Sequence, residues 1–185
     1  MKKLLLLLII PFLSFSQNIY KVNIGWDIDG LIQSGDVICP DCEPWPGNRS
    51  GPYIVKNTGK KVNGTVLFLY ETGVVAREVE MKNGKTHGVY KRFYRNGKLS
   101  AKSYSYENGT HGLSTSYLKS GHKARSTMYR NGREEGGDTS WYMESAQIQY
   151  LWNKKNGKKH GLQTTFYEDG TIKYQEEYEN GVEIK

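Results

Sequence analysis

Cys39-Pro40-Asp41-Cys42 is where residue type and spacing first suggest chemistry, and these are the chain's two cysteines. Such a pair can be a disulfide, a redox dithiol or half of a zinc site. A redox pair sits at a helix start, where the helix lowers the thiol pKa. Here Glu43-Pro44-Trp45-Pro46-Gly47 follows, and two prolines so close point to a turn. A structural zinc site needs four ligands, and no second cysteine pair exists. The expectation is a Cys39–Cys42 disulfide, with the redox dithiol and the zinc half-site as alternatives.

His87, His111 and His160 recur at steps of 24 and 49 residues, about one and two repeat periods. On equivalent strands of a repeat sheet they lie about 10 Å or more apart. Imidazoles that share a zinc ion hold it at about 2.0–2.1 Å, so these rings are expected to pack or cap beside the glycines that follow them. His122 falls outside this column. Trp26, Asp27, Asp29 and Trp45 could build a small polar–aromatic site, although their spacing matches no metal loop. Asn48-Arg49-Ser50, Asn63-Gly64-Thr65 and Asn108-Gly109-Thr110 fit the glycosylation sequon, and turn chemistry explains two of the three. Glu134, Glu135, Glu176 and Glu177 sit in ordinary strand or turn contexts. There is no nucleophile elbow, phosphate loop or His-Glu-x-x-His. The residues assign no catalytic group, metal or cofactor, and the reading is a protein that is not an enzyme.

The elements that would position these residues are legible from glycine. One column is Gly64, Gly88, Gly112, Gly136 and Gly161; a second is Gly73, Gly97, Gly121, Ser145 and Gly170. The third is the Asn-Gly pair at Gly84, Gly109, Gly132, Gly157 and Gly181. Asn-Gly favours a tight type I′ hairpin because both residues tolerate positive φ. Each unit of roughly 24 residues therefore carries two turns and two strands. The units run about 59–83, 84–108, 109–131, 132–156 and 157–181. Glu135 and Ser145 replace His and Gly in the fourth, which predicts a looser hairpin there.

Two aromatic columns lie between the turns. Leu69, Phe93, Tyr117, Trp141 and Phe166 form one; Tyr70, Tyr94, Leu118, Tyr142 and Tyr167 form the next. Adjacent strand residues point to opposite faces. The first column shares its face with Val89, Leu113 and Leu162, and that face is expected to be the better buried. The other face would expose Tyr70, Tyr94, Tyr142 and Tyr167 as a binding surface. The fold class is all-β: an elongated, twisted antiparallel meander of about five stacked hairpins. Residues 17–58 form its N-terminal cap, with strands expected over 18–24 and 53–55 and a Pro/Gly-rich loop over 44–52.

Met1-Lys2-Lys3, the apolar run Leu4 to Phe12 and Ser14-Phe15-Ser16 read as a signal peptide cut before Gln17. The apolar run is shorter than the roughly 20 residues of a membrane-spanning helix. Removing 1–16 takes two lysines and no acid, lowering the net charge from +7 to +5. The protein is then exported, to the periplasm or outside the cell, where nucleic acid is not the expected partner. Only 37% of residues are apolar, yet 14 are tyrosines, a composition suited to a thin ring-covered sheet.

The segments Asn83-Gly84-Lys85-Thr86-His87-Gly88 with Phe93-Tyr94, and Asn156-Gly157-Lys158-Lys159-His160-Gly161 with Phe166-Tyr167, resemble the MORN-variant repeat family. The resemblance covers about two-thirds of the chain and none of 17–58. It implies an antiparallel repeat sheet used as a scaffold or interaction surface. It also brings lipid contact, proposed for some relatives, and an antitoxin label common among bacterial members, which fits poorly with export. The functional expectation is an exported, non-catalytic scaffold that binds a protein or envelope polymer through its aromatic face. The alternatives are a module for anionic lipid and a thiol-redox activity of the cap.

Overall fold

The computed structural model describes residues 18–27, 30–39, 51–107 and 109–184. The signal segment 1–16, Asp29, Cys42, Trp45, Asn48 and Asn108 lie outside the described residues, as does most of the expected loop over 44–52. Among the described residues there are strands and turns and no helix. The N-terminal segment supplies β1 (Ile19–Asp27), β2 (Gly30–Gly35), β3 (Val37–Ile38) and β4 (Ile54–Val55). The repeats follow as β5 (Gly64–Leu69), β6 (Val75–Lys82), β7 (Lys85–Phe93), β8 (Leu99–Tyr106), β9 (Gly109–Tyr117) and β10 (Lys123–Arg130). They continue as β11 (Arg133–Trp141), β12 (Ile148–Lys155), β13 (Lys158–Lys159), β14 (Gly161–Phe166), β15 (Ile172–Glu179) and β16 (Val182–Ile184).

From β5 onward the strands form an antiparallel meander, as the turn chemistry demands. Asn83, Asn131, Asn156 and Asn180 have φ of 51–52° and their following glycines 77–93°, the left-handed pair that a type I′ turn requires. The second unit departs. Glu107 takes the positive φ (47°) and Tyr106 pairs with Gly109, so Gly109 opens β9 and does not occupy the turn. Glu107 stands 24 residues after Asn83 and 24 before Asn131, so backbone geometry keeps the period where the Asn-Gly letters slip by one.

The fourth unit closes with a longer turn that keeps the usual side-chain acceptor. Ser145 Oγ accepts the Gln147 N–H, as Asn96 does for Lys98 and Asp169 for Thr171. Ala146, one residue later, takes the left-handed conformation at φ 55°. Ser145 therefore aligns with the turn acceptor, and the loop is one residue longer with alanine at the strained position.

The column from Gly64 to Gly161 marks irregularities in the ladder. Register shifts lie opposite it between Val79 and Met81, Lys102 and Tyr104, and Thr127 and Tyr129. In each, the glycine-bearing strand carries the excess residues, a bulge that bends the strand. Between β12 and β14 the Gln163 amide fills the break. It accepts the Asn153 N–H at 3.2 Å and donates to the Asn153 and Gly161 carbonyls at 3.0 and 2.9 Å.

The N-terminal segment does more than cover an edge. β1 joins the sheet parallel to β5, and β2 pairs with β1 beyond it. Gly64 is required at this junction, because a Cβ there would lie 2.2 Å from the Asn18 carbonyl oxygen. β3 and β4 form a separate two-stranded sheet. Val37 and Val55 from it pack with Val22, Val62, Val66, Phe68, Val79 and Met81. This is the apolar core among the described residues, and it lies wholly before residue 85.

The better-buried face is therefore opposite to the one expected. Leu113 and Leu162 are 53% and 48% exposed, whereas Val66, Phe68 and Val79 are buried. The cause is the cap, which lies on the Phe68 side and leaves the Leu113 side in water.

Candidate binding groove

On the Phe68 face one row of cross-strand neighbours crosses the sheet from β5 to β15. It runs Phe68, Arg77, Arg92, Ala101, Ser116, Arg125, Ser140, Tyr150, Thr165, Tyr174. Directly opposed residues share a face, so the row shows what each unit offers on that side.

β8 and β9 offer only small side chains there: Ala101, Ser103 and Ser105 on one, Thr110, Ser114 and Ser116 on the other. Larger groups flank them. The result is a groove of about 390 Å³ that begins under the cap at Tyr53 and Phe68 and passes Arg77, Tyr90 and Arg92. Its floor is Ala101, Ser103, Ser105, Thr110 and Ser114. The cap holds the near end through the Tyr53 N–H, which donates to the Gly84 carbonyl at 2.8 Å, and through an edge-on Tyr53–Phe68 contact at 6.0 Å.

The electrostatics are uneven. Arg77 and Arg92 are direct cross-strand partners, and neither forms an ion pair among the described residues. Like charges in that relation destabilise a sheet. Arg77 is held over the Phe68 ring with its guanidinium carbon 4.2 Å from the centroid. On the opposite face the neighbouring residue Lys91 is matched by Glu78 at 2.8 Å.

Farther along, charge is neutralised internally. Arg125 donates from Nε and Nη2 to both oxygens of Asp138, the first at 2.8 Å, and Thr127 adds a hydrogen bond at 3.0 Å. Lys154 lies 3.4 Å from Asp138 and is also paired with Glu134. Burial pushes the Asp138 carboxyl up, but the hydrogen bonds from Arg125 and Thr127 and the charges of Arg125 and Lys154 outweigh it and hold the group below its ordinary range. The hydrogen bond to Asp138 raises Arg125 still further. This cluster has its counter-ions; among the described residues Arg77 and Arg92 have none.

The residues singled out from sequence fall elsewhere. Tyr70, Tyr94 and Tyr142 are half-buried at the turns opposite the Asn-Gly edge. Their hydroxyls donate to the Phe93, Tyr117 and Phe166 carbonyls of the next unit at 2.8, 2.6 and 2.8 Å. Tyr167, in the fifth unit, is 49% exposed. Leu118 occupies the same column without a hydroxyl.

His111 and His160 accept the N–H of Asn131 and Asn180 through Nδ1, at 3.5 and 3.4 Å. Asn63 and Glu135 do the same for Asn83 and Asn156, so the column varies in residue while keeping an acceptor. His87 instead packs on Tyr106, ring centroids 5.0 Å apart. His122 forms part of its turn, its carbonyl accepting the Leu118 N–H. Among the described residues no His, Cys, Asp and Glu side chains group as a metal site. Cys39 follows β3 and is not a free thiol. Trp26 and Asp27 are in β1.

The sequence reading missed Arg77, Arg92 and the hydroxyl floor. The available signal was the alternation of small residues at 101, 103 and 105 where other units carry larger ones.

Two segments, residues 86–109 and 159–180, match the family model described as MORN repeat variant. They fall on the second and fifth units, and the remaining units end in left-handed Asn-Gly turns at Asn83, Asn131 and Asn156. No curated protein matches the chain.

Proposed function

We propose that the chain, two segments of which match the MORN repeat variant model, a repeat that serves generally in binding or scaffold modules, is a non-catalytic scaffold holding an extended anionic partner in the groove between the cap and the Arg125–Asp138 cluster. One observation carries this reading: Arg77 and Arg92 face each other across β6 and β7, and among the described residues no carboxylate pairs with either. Sequence chosen for stability alone would place an acid at one of these sites, as Glu78 does beside Lys91. Departures from such local rules concentrate at functional sites. The groove volume also falls within the range of ligand sites. The aromatic column shifts in role: Tyr70, Tyr94 and Tyr142 staple the units, and the groove lies on the Phe68 row.

The test is calorimetric titration of the mature protein with polyanions. Arg77→Gln and Arg92→Gln should each weaken binding about tenfold, with a shallower salt dependence. Lys102→Gln should leave affinity unchanged, since its strand neighbours Ala101 and Ser103 line the groove and Lys102 points away. Equal loss in all three variants, or loss in none, would overturn the reading.

The protein would work outside the cytoplasm, with its signal removed before Gln17 and Cys39 bonded to Cys42. N-terminal sequencing and intact mass of the exported protein check both. An anionic membrane surface is the second source of negative charge, supported by the net charge of +5 after signal removal.

A further inference from the structure

We infer that the partner in this groove is an acidic polysaccharide segment: sugar rings that carry both hydroxyls and carboxylates. The inference rests on the anion-binding reading above and adds the chemistry of the floor.

The floor lies in the middle of a sheet. β8 and β9 are hydrogen-bonded to each other and to β7 and β10, so their backbone groups are committed to the ladder. An extended peptide that binds a sheet usually does so by adding a strand at an edge and using main-chain hydrogen bonds. This floor offers none, and recognition must use side chains.

Those side chains are hydroxyls. Ser103, Ser105, Thr110 and Ser114 line the groove, and none of the four forms a side-chain hydrogen bond among the described residues. On the opposite face Thr115 Oγ1 and Ser126 Oγ are paired at 2.9 Å. A hydroxyl both donates and accepts, so a row of them matches a ligand whose own groups are hydroxyls. Acidic side chains only accept and would use half of this capacity.

The wall completes the match. A guanidinium presents a planar fork that binds a carboxylate through two hydrogen bonds. Arg77 is already oriented by Phe68, which lowers the ordering cost. Tyr53 and Tyr90 add rings with an apolar body and a polar tip, suited to the C–H face of a sugar and its rim of hydroxyls. The backbones of β7 and β10 stand three strand spacings apart, about 14 Å, so the ligand would lie along the strands as a single chain.

The experiment compares four probes on the mature protein: oligogalacturonate, a neutral malto-oligosaccharide, polyglutamate, and phosphatidylglycerol–phosphatidylcholine vesicles. Oligogalacturonate should bind most tightly, and Arg92→Gln should weaken it about tenfold. A Ser105→Ala/Ser114→Ala double variant should weaken oligogalacturonate several-fold and leave polyglutamate unchanged. Polyglutamate binding as tightly as oligogalacturonate, with the same dependence on Arg92, would overturn the sugar assignment and leave the anion groove standing. Vesicle binding without oligogalacturonate binding would overturn it in favour of lipid. If no probe binds, or binding ignores Arg77 and Arg92, both readings fail. Unchanged thermal unfolding of the variants guards against misfolding as the cause.

Discussion

The first hairpin and the fourth are built on the same repeat, yet their faces share almost no chemistry. Under the cap, Val66 opposes Val79 and both are buried. On the same face three units on, Asp138 stands at the position of Val66, also buried, with buried Thr127 opposite it on the neighbouring strand of the third unit. The difference is the second layer. β3 and β4 cover the first hairpin, so its inward residues gain from leaving water, about 1.5–3 kcal/mol for a fully buried aliphatic or aromatic side chain. Nothing among the described residues covers the fourth hairpin, and there burial is achieved by polar groups lying across one another with their hydrogen bonds made. Two solutions thus hold one sheet together, and the groove is the stretch between them that uses neither.

Removing Phe68 should break the comparison most sharply. Phe68→Ala should cost about 3–5 kcal/mol in urea unfolding, as large-to-small core changes do. Trp152→Ala, on the partly exposed C-terminal part of the same face, should cost markedly less. Similar losses would show that the cap supplies no special core.

Asp138→Asn should cost about 2–3 kcal/mol, below the usual figure for a broken buried pair because Arg125 remains 41% exposed. Its pH dependence separates the regions further. Asp138 is held below its ordinary pKa when folded, so its contribution is present above the unfolded value and is lost as pH falls through the folded one. Urea midpoints of the wild type should fall in that acidic window, and the variant should have a weaker acid limb.

Gln163→Leu should cost about 1–3 kcal/mol, the range for leaving buried backbone groups unpaired. Protection of the Asn153 amide from hydrogen exchange should fall with it. The smallest effect concerns the tyrosine staples. Tyr94→Phe should lose about 1 kcal/mol, and Leu118→Tyr should gain up to the same amount by reaching the Trp141 carbonyl. If Leu118→Tyr gained nothing while Tyr94→Phe lost stability, the staples would differ between units in a way the shared geometry does not show.

Much of this fold was legible in the residues. Asn83-Gly84 and its copies specify type I′ turns through backbone preference alone, and they lie where the letters place them except at Glu107. The histidine column places its rings one to a unit, as their spacing requires, in β7, in β9 and between β13 and β14. Its shared task as a hydrogen-bond acceptor needed the structure, because Asn63, His111, Glu135 and His160 look unrelated until each meets an N–H some 20 residues away. The groove was harder to read. Arg77 and Arg92 are 15 residues apart in a chain full of lysine and arginine, and only strand register makes them partners.

Local chemistry therefore determined the hairpins, their period and their turns, since φ preference and side-chain alternation act within a few residues. Tertiary structure decided which face is inside. A sheet has two faces with rings on both, and alternation cannot say which will be covered. That choice belongs to β3 and β4, which pack on Phe68 and leave Leu113 in water. The groove follows from the same choice, beginning where the cap ends.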